Sequence, residues 1–66
     1  MKEIRFSENL RRLRVESKLT QSKLAKMLQV DQRTISAWET GVCEPDFKTL
    51  SKLCEILGED FNGILT

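Results

Sequence analysis

Apolar residues recur at helical spacing along the 66-residue chain, and the recurrence breaks roughly every ten to fifteen residues. Phe6, Leu10 and Leu13 fall at i, i+4 and i+7 with Arg11, Arg12 and Glu16 opposite, which predicts a helix over about 6–17. Leu24, Ala25 and Leu28, preceded by Leu19, predict a second helix over about 21–28. Thr20 has the hydroxyl that an N-cap uses to accept an orphan N–H. Gln29, Val30 and Asp31 intervene before Ile35 and Trp38, which predict a third helix over about 32–39. Asp31 is its expected cap, and Gly41 stands just past its end, where positive φ is wanted. Pro45 and Asp46 open a fourth segment with the expected buried stripe Phe47, Leu50, Leu53, Cys54 and Leu57, closed by Gly58. After Asp60, a last short helix over about 61–65 carries Phe61, Ile64 and Leu65. No stretch alternates with period two and no internal repeat occurs. The expectation is a compact all-α domain of five helices spanning 1–66.

Composition narrows the chemistry. At this length a domain buries only about 60% of its unfolded surface, which leaves no room for a second lobe or a deep substrate cleft. An apolar fraction of 39% beside 32% charged residues is that of an ordinary folded domain. The chain has no His and no Tyr, so the commonest general base is missing and an enzyme is not expected. Cys43 and Cys54 are too few for a zinc site, which takes about four Cys or His ligands. They read as two free thiols, one of them a small core residue. No cofactor, metal or small-molecule ligand is expected. No apolar run reaches the roughly 18–20 residues of a membrane span, and the first residues do not resemble a signal peptide. A cytoplasmic setting without membrane contact is the default expectation.

The net charge of +1 argues at first against a polyanionic partner, yet it hides an asymmetry. Residues 1–40 hold nine Lys or Arg against five acids, a balance of +4; residues 41–66 hold two against five, a balance of −3. Such a split hints at polyanion binding. On charge alone, solvated helix faces that differ by chance explain it equally well.

The three residues between the second and third segments carry more weight. That spacing is the spacing of a helix-turn-helix, placed at about 20–39, in which one face of the second helix stands clear of the body. With Val30, Ile35 and Trp38 directed inward, that face presents Gln32, Arg33, Ser36 and Ala37. Gln pairs with adenine and Arg with guanine in the major groove, Ser donates or accepts, and Ala leaves space for a thymine methyl. A single Gln or Arg would suit any polar helix face; a face with no acid inside it is less easily explained that way. Trp38 is expected in the core rather than stacked on a base.

The stretch from Leu19-Thr20-Gln21-Ser22-Lys23-Leu24-Ala25 through Val30-Asp31-Gln32-Arg33-Thr34-Ile35-Ser36-Ala37-Trp38-Glu39-Thr40-Gly41 to Pro45 resembles the phage repressor and Cro-type (XRE) helix-turn-helix family. Leu10-Arg11-Arg12-Leu13-Arg14 precedes it in register and Leu50-Ser51-Lys52-Leu53-Cys54 continues it, so the likeness covers about residues 6–65. The resemblance implies a lambda-repressor-like fold and sequence-specific binding of double-stranded DNA by a small cytoplasmic regulator of bacterial or phage type, expected to be a repressor. It implies base reading by Gln32, Arg33 and Ala37, with Ser36 and Asp31 at the margin. It implies backbone contact by Gln21 and Thr40, a set to which Arg14, Thr20, Lys23 and Asp31 are added. Arg14 and Glu39 match a salt bridge that ties the first helix to the third. The C-terminal end, Phe61, Ile64 and Leu65, is the expected homodimer contact on a pseudo-palindromic operator. The alternative is an antitoxin, or a protein-interaction subunit of a larger regulatory complex. Three positions depart from the family pattern. Lys18 and Gln29 stand where glycine is common, and Lys23 stands where an acid usually supports the second helix.

Overall fold

The computed structural model describes residues 4–66. Its helices are α1 (Phe6–Glu16), α2 (Gln21–Leu28), α3 (Gln32–Glu39), α4 (Phe47–Leu57) and α5 (Phe61–Leu65), and no strand occurs among the described residues. These bounds follow from local chemistry. Thr20 Oγ1 accepts the Lys23 N–H at 3.0 Å, Asp31 Oδ1 that of Arg33 at 2.8 Å, Asp46 Oδ1 that of Thr49 at 2.8 Å, and Asp60 Oδ1 that of Gly63 at 2.7 Å. Each cap satisfies a donor that the first helical turn leaves without an intrahelical acceptor.

The other ends share one device. Lys18, Gln29, Gly41 and Gly58 all take positive φ, at 60°, 59°, 79° and 67°. The residue after each reaches back five positions with its N–H: Leu19 to the Arg14 carbonyl, Val30 to Ala25, Val42 to Ala37 and Glu59 to Cys54. This left-handed closure satisfies terminal carbonyls and turns the chain sharply. Glycine enters that region freely, whereas Lys18 and Gln29 do so against the steric preference of an L-residue.

α2 packs on α3 across the short turn, α1 on α3 and α5, and α4 on α2 and α5. Phe6, Leu10 and Leu13 of α1 meet Leu24, Ala25, Leu28, Ile35, Trp38, Leu50, Leu53, Cys54, Leu57 and Ile64 in one core. The chain ends are stitched together: the Arg5 N–H donates to the Leu65 carbonyl at 2.7 Å, and Asn9 Nδ2 donates to the Ile64 carbonyl at 3.1 Å.

Two apolar expectations are corrected. Phe47 is 80% exposed. It lies one turn ahead of Leu50, at the first residue of α4, and its ring stands over a cleft beside Ile4 and Pro45 rather than in the core. Helical periodicity identifies a face but not where the core beneath it stops. At the C-terminus Ile64 is fully buried, so it has no side-chain surface to offer a second subunit, while Phe61 remains 44% exposed.

Candidate nucleic-acid interface

The placement of α3 follows from which residues it buries. Ile35 and Trp38 enter the core one turn apart and fix the rotation of the helix about its axis. That rotation leaves Gln32 and Arg33 exposed and Ser36 and Ala37 half-buried beside them. The outward face is therefore wide at the N-terminal turn and narrow, with small side chains, one turn later.

Glu39, at the last turn of α3, joins three helices. Arg14 Nε donates to Glu39 Oε2 at 2.5 Å and Arg14 Nη2 to Oε1 at 3.2 Å, a two-point pairing of guanidinium with carboxylate. Gln21 Nε2, from the first turn of α2, donates to the same Oε1 at 3.1 Å. Arg14 Nη1 also donates to the Leu19 carbonyl at 2.7 Å, which pins the α1–α2 connection. The side chains of Arg14 and Glu39 are 12% and 4% exposed. α1, α2 and α3 are thus held in register through one carboxylate. The Gln21 bond to Glu39 was not foreseen, because the two residues stand 18 positions apart and nothing local signals their meeting.

Other residues of the expected set already have internal partners. The Thr20 oxygen accepts as a cap, leaving its hydroxyl hydrogen able to donate outward. The Thr40 hydroxyl lies 3.0 Å from the Ser36 carbonyl and 3.3 Å from that of Ala37, to which it donates. Asp31 is exposed and accepts the Arg33 N–H. Lys23 is exposed in the first turn of α2, a turn without an acid. The positive end of the α2 dipole and the Lys23 ammonium therefore point the same sign of charge outward. Such a helix end favours phosphate, and a clear helix face with Gln and Arg at its start suits a groove.

A family model described as helix-turn-helix matches residues 10–64. The HTH-type transcriptional regulator YqaE of Bacillus subtilis is 40% identical over 60 residues, covering 91% of this chain and 52% of that protein. The cryptic phage CTXphi transcriptional repressor RstR of Vibrio cholerae is 38% identical over 53 residues, covering 80% of this chain and 48% of that one. The crystal structure of a transcriptional regulator from Listeria innocua superposes with a TM-score of 0.89 at 28% identity, over 97% of this chain and 60% of that one. The chain spans about half the length of these curated relatives. Among the described residues no helix is long and apolar enough to cross a membrane.

Proposed function

Because the chain belongs to the helix-turn-helix family of phage-repressor and Cro type, we propose that it is a sequence-specific reader of double-stranded DNA that regulates transcription as a repressor in the cytoplasm. The observation that carries this is the outward face of α3, with Gln32 and Arg33 exposed at its start while Ile35 and Trp38 lock the opposite face into the core. In the major groove Gln32 and Arg33 pair with base edges, and Ser36 and Ala37 allow close approach one turn later. Thr20, Gln21 and Lys23 meet phosphate at the start of α2. Arg14 and Glu39 orient α3. Asp31 acts as the cap of α3, since an ionised carboxylate has no proton to give a phosphate oxygen. Thr40 contacts the backbone only by turning its hydroxyl away from the Ser36 carbonyl. A single module neutralises few phosphates, so two copies act together on a pseudo-palindromic site with half-sites about 34–36 Å apart. The repressor sign follows RstR, which is named a repressor; another relative, BcrR of Enterococcus faecalis, is named an activator.

Selection of bound sequences from random duplex DNA, run in parallel with Arg33→Ala, tests this function. A consensus for the wild type that loses definition at one position in the variant is the expected outcome. Recovery of no consensus, or the same consensus from both proteins, would remove α3 from the reading role.

A further inference from the structure

Residues 20–39 hold two acids, Asp31 and Glu39. The Glu39 carboxylate is 4% exposed and taken up by Arg14 and Gln21, which leaves Asp31 as the acid that the helix-turn-helix shows to solvent. It stands directly ahead of Gln32 and Arg33, at the start of the α3 face. Its Oδ1 accepts the Arg33 N–H at 2.8 Å, which anchors the carboxylate on the turn that leads into α3. Among the described residues no donor and no cation meets the second oxygen. Capping alone does not call for this charge. Ser and Asn cap a helix about as well as Asp, and α2 begins with the neutral Thr20. A carboxylate carried into a groove of DNA sits in the negative potential of the phosphates, so it opposes binding unless a donor there meets it.

We propose that Asp31 is a specificity residue that selects cytosine, its Oδ2 accepting from the N4 amino group at a base pair beside those read by Gln32 and Arg33. The inference rests on the DNA-reading function above and names the base at one position of the site. Base edges in the major groove offer two kinds of amino donor, N4 of cytosine and N6 of adenine. Guanine and thymine present acceptors there, and an acceptor facing a carboxylate is repelled. Adenine sets its N7 acceptor next to the amino group, whereas cytosine has only a C–H beside its own, so a carboxylate discriminates between them as well. Much of the selection is therefore exclusion of the wrong bases rather than attraction of the right one. The bond from the Arg33 N–H serves it by holding one oxygen, which limits how far the other swings away. The same geometry makes the site sensitive to modification of the DNA. A methyl on cytosine N4 takes the place of the hydrogen that faces the groove, while the remaining hydrogen keeps the pair with guanine.

Selection from random duplex DNA by wild type, Asp31→Ser and Asp31→Asn tests it. Both variants retain a capping side chain on α3, and thermal melting checks that they retain the fold. The wild-type consensus is expected to hold a C·G pair that loses definition in Asp31→Ser. In Asp31→Asn the same position is expected to shift toward adenine, since an amide accepts from N6 and donates to N7. On the selected duplex, thymine in place of that cytosine should weaken wild-type binding about 10–100-fold. N4-methylcytosine there should weaken it by about 10-fold, and Asp31→Ser should be far less sensitive to either change. An identical consensus from wild type and Asp31→Ser would overturn the proposal, and so would loss of definition at an A·T pair instead. Equal sensitivity of the two proteins to N4-methylcytosine would overturn it too. A wild type that yields no consensus removes the reading function and this inference together, whereas a consensus unmoved by Asp31→Ser removes the inference alone.

Discussion

Deleting the Glu39 carboxylate would strand a guanidinium that is only 12% exposed and whose Nε and Nη2 both point at it. Breaking one partner of such a pair costs of order 3–5 kcal/mol, so Glu39→Ala should lower the urea midpoint strongly. Replacing both Arg14 and Glu39 by Met is expected to recover most of that loss, because neither charge is then left unpaired, yet DNA affinity should stay low because α3 has lost its tether. Recovery of both together would mean that the pair only stabilises the fold. The resemblance to the family made the pairing of Arg14 with Glu39 legible, whereas the share taken by Gln21 was not, since hydrogen bonds between helices depend on how the backbone is assembled. The two thiols separate in the same way. Cys43 is exposed, while Cys54 is buried, and burial, followed by the charges of Asp60 and Glu59, pushes its thiol up. A thiol reagent at neutral pH should label one cysteine per folded chain quickly and the second only on unfolding.

The helices themselves were readable almost to the residue because their ends are set by short-range chemistry. Four side-chain caps and four left-handed closures lie within a few positions of the groups they satisfy. Phe47 was misread for the complementary reason: its periodicity belongs to α4, but its exposure depends on where α1 and α5 stop supporting that face. Lys18 and Gln29 occupy closures that suit glycine, so Lys18→Gly and Gln29→Gly should each raise stability, by about 0.5–1 kcal/mol after the added freedom of the unfolded chain is counted. Chemical denaturation checks this, and a loss at Gln29 would show that its side chain contributes more than its backbone strain removes. The Asp46 cap gives α4 a pH dependence. The Thr49 N–H and hydroxyl, then Lys48 and Lys52, hold its carboxyl below the ordinary 3.8. A lowered carboxyl stabilises the fold fully above that ordinary value and stops doing so as pH falls through the lower folded value. The melting-temperature gap between wild type and Asp46→Asn should therefore narrow in acid below about pH 4.

Across the whole molecule, the +4 of residues 1–40 falls on the segment that carries α1–α3, the side the proposed function turns to DNA, and the −3 of residues 41–66 falls on the elements that follow. Lys23 concentrates the division. Lys23→Glu should favour the α2 dipole and slightly stabilise the fold, yet weaken DNA binding and flatten its salt dependence by about one unit of slope. Unchanged binding would return Lys23 to an ordinary surface role. The claim that matters most is that the exposed start of α3 reads sequence. Fluorescence anisotropy at one fixed salt concentration, comparing a selected duplex with a scrambled duplex of equal composition, measures it directly. Wild type should prefer the selected duplex by about 10³-fold or more, and a Gln32→Ala, Arg33→Ala double variant should bind both duplexes with similar, weak affinity. Equal wild-type affinity for the two duplexes, or undiminished preference in the double variant, would contradict it.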